Sequence, residues 1–104
     1  MATKLLDAVT VTGAGTAVHP KNVPFSIQFT LSNTTTPTAN VSVQLSNDGV
    51  VYVDYGTAIA LTGALASDAV KISVPCEWVR CYVNTISGTS AAVTATASYI
   101  QTWL

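Results

Sequence analysis

Charge is what this sequence has least of. Asp, Glu, Lys and Arg make up 9% of the 104 residues, and the formal net charge is −1, where roughly 25% charged residues is usual in a soluble domain. The four basic residues, Lys4, Lys21, Lys71 and Arg80, are scattered along the chain. They form no stripe able to neutralise a run of phosphates, so nucleic acid is excluded as a main ligand. No apolar run approaches the ~20 residues that cross a bilayer. The opening Met1-Ala2-Thr3-Lys4-Leu5-Leu6-Asp7 holds a two-residue apolar stretch and no signal-peptide core. The expectation is a soluble protein made in the cytoplasm, with no membrane contact.

The residues that carry chemistry are equally sparse. The single imidazole, His19, sits beside Pro20 in an expected loop, and without a base near a nucleophile there is no hydrolytic triad to assemble. Five acids remain: Asp7, Asp48, Asp54, Asp68 and Glu77. Asp48 falls in a turn, where backbone geometry favours Asp. Asp54 and Asp68 could supply loop oxygens to a cation, but their spacing resembles no calcium loop. Gly13-Ala14-Gly15 lacks the further Gly, Lys and helix start of a phosphate cradle and reads as a turn. Two Cys and one distant His fall short of a structural zinc site. The sequence therefore predicts no enzyme, no metal and no cofactor. If their segment is extended, Cys76 and Cys81 stand roughly 16 Å apart, too far for a disulfide without a sharp bend. Reduced thiols packed as small hydrophobes are expected, with an intersubunit bridge through the outward-facing one as the alternative.

What is abundant is alternation. In Phe25 to Ser32, Phe25, Ile27, Phe29 and Leu31 take one side and Ser26, Gln28, Thr30 and Ser32 the other, as in a strand with one wet face. Val41, Val43 and Leu45 repeat the pattern against Ser42, Gln44 and Ser46, and Asn47-Asp48-Gly49 then turns the chain into an expected strand over Val50 to Tyr55. Further on, Val70, Ile72 and Val74 are expected inward. Val79, Cys81 and Val83 oppose Trp78, Arg80 and Tyr82, and Val93, Ala95, Ala97 and Tyr99 oppose Ala92, Thr94, Thr96 and Ser98. A weaker strand lies near Val9 and Val11. Ala58 to Ala69 has helical composition but is broken by Gly63, so at most one helical turn is expected there. Seven or eight short strands without crossover helices predict an all-β, antiparallel β-sandwich, Ig-like or jelly roll, as one domain over residues 1–104.

Two groups of residues stand out as candidate contact surfaces. Trp78, Arg80 and Tyr82 share one strand face, and an Arg flanked by aromatics stacks readily on a sugar or on another protein. The competing view is that they form part of a core face, with Arg80 pairing to a nearby acid or to carbonyls. Tyr99, Ile100, Trp103 and Leu104 place large apolar groups at a chain end, where polar residues are usual unless the end is docked. Residues 1–7 and 100–104 are accordingly expected to act as interface arms. A neutral skin of Thr, Ser, Asn and Ala favours association, so a homo-oligomer is expected.

Val43-Gln44-Leu45-Ser46-Asn47-Asp48-Gly49, followed by Val74-Pro75-Cys76-Glu77-Trp78-Val79-Arg80 and then by Ser87-Gly88-Thr89 before a Thr/Ala/Val strand, resembles small β-sandwich structural proteins of tailed bacteriophages. The resemblance covers about residues 41 to 100. It implies a non-enzymatic virion component present in many copies: a capsid decoration (cement) protein, a head-fibre base, or a connector or tail accessory protein. Its partners would be the major capsid or connector/tail proteins, and it would be made in the bacterial host cytoplasm. The same Asp-Gly turn and aromatic-Val-Arg strand also resemble discoidin-like jelly-roll modules. These imply the alternative of a carbohydrate-binding module, with Trp78, Arg80 and Tyr82 lining the sugar face.

Overall fold

The computed structural model describes residues 2–20, 25–32, 37–63, 66–88 and 91–98. Among them are nine strands and no helix: β1 (Ala2–Val9), β2 (Gly13–Ala14), β3 (Phe25–Ser32), β4 (Thr38–Ser46), β5 (Val53–Asp54), β6 (Ile59–Thr62), β7 (Ala66–Ile72), β8 (Trp78–Ser87) and β9 (Ala92–Ser98). They form two antiparallel sheets. The first runs β1-β9-β3-β7; the second runs β2-β8-β4-β5, with β6 pairing the other half of β4.

This strand order separates the two expected sandwiches. The chain passes from one sheet to the other at nearly every connection, staying in the second sheet only through β4, β5 and β6, and its first and last strands lie side by side. That is the wrapping of a jelly roll; an immunoglobulin sandwich instead keeps its first and last strands in different sheets.

The alternation read from the sequence sets which side chains meet between the sheets. Ile27, Phe29 and Leu31 from β3, Val93, Ala95 and Ala97 from β9, and Val79, Cys81 and Val83 from β8 are each fully buried. Val41 and Ile72 join them in one continuous core. Full burial of a Phe, Ile or Leu side chain contributes about 1.5 to 3 kcal/mol apiece.

Within the stretch 1–7, expected as an interface arm, residues 2–7 lie in β1 of the fold's own first sheet. Lys4 pairs with Thr96 but Leu6 with Ala95, so Leu5 is an extra residue against β9. That bulge turns two consecutive leucines inward, and both are 1% exposed. A second register shift follows between Leu6 and Val9, where Ala8 has φ 51° and its N–H donates to Thr94 Oγ1 at 3.2 Å.

Three further expectations are corrected. Ala58 to Ala69 contains no helical turn among its described residues: Ile59–Thr62 and Ala66–Ile72 are strands, and the Ala66 N–H donates to Gly63 O at 3.2 Å. Pairing with β4 and β3 outweighs local helix propensity here. Val50 to Tyr55 is strand only at Val53–Asp54, because the Asp48 carboxylate takes the N–H groups of Val50 and Val51 that a ladder would need. Val74 is 45% exposed rather than buried, since β7 ends at Ile72. Tyr99, placed in the last strand from its parity, lies outside the described residues.

Candidate binding face

The outward side of the second sheet carries the sequence-predicted group. Trp78, Arg80 and Tyr82 are partly buried and lie opposite Ser46, Gln44 and Ser42 of β4. Their alternates, Val79, Cys81 and Val83, take the core, so the three are not a core face.

Trp78 and Arg80 are held by neighbours that come from elsewhere in the sequence. The Arg80 guanidinium carbon lies 3.8 Å from the Tyr52 ring centroid and 5.9 Å from that of Tyr82. Its Nε donates to Gln44 Oε1 at 2.8 Å, and Gln44 Nε2 donates in turn to Asp54 Oδ1 at 3.0 Å. Arg80 thus bonds a side-chain carbonyl directly and reaches an acid through that amide, where the core-face view expected a nearby acid or carbonyls as its partner. The planar cation over an aromatic face gains on the order of 0.5 to 1 kcal/mol at an exposed site. Further along, Asn84 Nδ2 donates to Asn40 Oδ1 at 2.8 Å and to Ser42 Oγ at 2.7 Å, which satisfies the buried Ser42 hydroxyl.

Trp78 is fixed from two sides. Its ring centroid lies 3.6 Å from that of His19, with the planes tilted by 42°. His19 is brought there by the bridge between Val18 and Val79, and so it is a packed residue rather than a free loop histidine. On the other side Trp78 meets Gly49, where a Cβ would come within 2.9 Å of the indole Nε1. The Gly49 turn is stiffened by Asp48, whose Oδ1 accepts from the N–H of Val50 (2.8 Å) and Val51 (3.0 Å) and from the Ser46 hydroxyl (3.0 Å). These donors stabilise the carboxylate and hold its pKa below the usual aspartate value. Asp48 is therefore a turn residue, as its position suggests.

The remaining candidates separate. Tyr99, Ile100, Trp103 and Leu104 lie outside the described residues. Asp54 and Asp68 stand in different sheets, and the described residues contain no group of three potential metal ligands. Both thiols are free. Cys81 is buried in the core, and desolvation pushes its pKa up to about 12; Cys76, half-buried, is raised by burial and then by the negative charge of Glu77. Both therefore stay protonated and weakly nucleophilic at neutral pH.

Sequence reasoning missed Tyr52, Gln44 and His19 as members of this face. The alternation did place Gln44 outward. Nothing local marks His19 or Tyr52, because their partners on β8 are distant in sequence. Comparison with protein-family models, curated proteins and solved structures finds no match.

Proposed function

We propose that this protein is a non-enzymatic structural subunit of a tailed-bacteriophage virion, a capsid decoration protein or a head-fibre or connector component, acting through protein–protein contacts as a homo-oligomer. The observation that carries the reading is a group of valines left in solvent: Val50 at 80%, Val51 at 64%, Val53 at 62% and Val74 at 45% exposure. The loops that carry them are tied together, since the Glu77 N–H donates to Ser46 O at 3.2 Å and to Asn47 Oδ1 at 3.4 Å. Large apolar side chains left exposed on such joined loops mark a surface that another molecule covers.

Low charge supports the same reading. The outward side of the first sheet presents Ser26, Gln28, Thr30, Thr94 and Thr96, with Lys4 and Lys71 as its basic residues, a sparsely charged surface whose desolvation against a shell costs little. The test is co-sedimentation of the purified protein with expanded phage shells assembled without it, alongside light scattering to follow self-association. Saturable addition to shells, lost on replacing Val50 and Val51 by Lys, supports the proposal. A chain that stays monomeric at millimolar concentration and ignores shells refutes it.

A further inference from the structure

Arg80 is held in place yet makes no direct ion pair among the described residues, reaching Asp54 through Gln44. Its Nε is engaged by Gln44 and its plane by Tyr52, while the described residues give Nη1 and Nη2 no acceptor. The ion pair found among those residues is Lys4–Asp7, at 3.3 Å. A guanidinium whose plane is already fixed has lost its rotamer freedom before any ligand arrives. It presents a pair of N–H donors that match the two oxygens of a carboxylate.

The surroundings decide what carries that carboxylate. A Tyr-Arg hot spot for a protein partner is usually ringed by contacts that exclude water. Here one flank is polar: the exposed Asp54 is joined to Arg80 through Gln44, and Asn84 and Asn40 follow further along the strands, while the exposed Val51 and Val53 lie on the β5 edge beside Tyr52. Among the described residues, the second carboxylate oxygen of Asp54 and the side-chain carbonyl of Asn84 accept no hydrogen bond. Acceptors beside a fixed donor pair, next to partly exposed tyrosine rings, suit a ring that bears hydroxyls on its edge, C–H groups on its face and one carboxylate.

We infer that the outer face of the second sheet, centred on Tyr52, Arg80 and Tyr82, binds an acidic saccharide of the hexuronate class, its carboxylate on the Nη groups of Arg80 and its C–H face against tyrosine. The charge of Arg80 selects the acid, and the open sheet surface suits a stretch of polymer. The inference is independent of the virion reading.

The experiment is an amide NMR titration of the full chain with oligogalacturonate, with its methyl-esterified form as neutral counterpart and polyglutamate as a non-sugar carboxylate. Oligogalacturonate is expected to shift resonances of β4, β5 and β8, with affinity falling as salt rises. Arg80→Lys, which keeps the charge and loses the fork, should weaken binding roughly 10- to 100-fold while the chain still folds and melts cooperatively. No shifts with oligogalacturonate overturn the inference, as does equal binding of the neutral ester. Polyglutamate binding as tightly overturns it in favour of a protein carboxylate.

Discussion

Gly49 and Gly56 both adopt positive φ, 77° and 70°, and they differ in what surrounds them. A Cβ at Gly56 would meet nothing within 4 Å, whereas at Gly49 it would lie 2.9 Å from Nε1 and 3.2 Å from Cε2 of Trp78. Alanine at either position carries the left-handed backbone cost of about 1 to 2 kcal/mol. Only Gly49→Ala must also push aside an indole held from behind by His19 at 3.6 Å, an overpacking cost of about 1 to 3 kcal/mol. Gly56→Ala is thus expected to lose about 1 to 2 kcal/mol and Gly49→Ala about 2 to 5, measured by urea unfolding followed by circular dichroism. Tryptophan fluorescence should change in the folded state of Gly49→Ala alone. Gly49→Asn, which tolerates positive φ but keeps the Cβ, should recover only the backbone part. Equal losses at the two glycines, with unchanged fluorescence, would refute the claim that Trp78 is clamped between His19 and the turn.

Three other outcomes are expected. The pKa of Asp48 is lowered in the fold, so its contribution is present above the unfolded value of 3.8 and is lost as pH falls through the lower folded value; the urea midpoint should therefore drop on acidification in the parent and less so in Asp48→Asn. With its thiol buried and raised to about 12, Cys81 should resist iodoacetamide at pH 8 in the native state, Cys76 should react first, and unfolding should equalise them, as mass spectrometry will read. Phe29, fully buried in β3, should cost about 3 to 5 kcal/mol on replacement by Ala by the same urea assay.

What could be read along the chain was whatever depends on the parity of neighbouring residues. Phe25–Ser32 and Trp78–Tyr82 have the faces that their alternation assigns, because successive side chains in an extended backbone point to opposite sides. The Asp48-Gly49 turn was legible because its hydrogen bonds close within a few residues. Where parity was not the whole rule, the reading failed: at Leu5–Leu6 a bulge against β9 buries two neighbours in succession, and at Val50–Val51 a side-chain carboxylate takes the N–H groups of a would-be strand.

The sequence by itself thus determined an all-β chain, its core-facing residues, and the shared side of Trp78, Arg80 and Tyr82. Only the tertiary structure decided that the sheets wrap as a jelly roll, that β1 closes against β9, and that Tyr52, Gln44 and His19 gather around β8. The physical reason is one of range. Alternation and turn chemistry act between residues a few positions apart, whereas strand order and the partners of Arg80 come from pairings between distant segments that leave no periodic mark in the sequence.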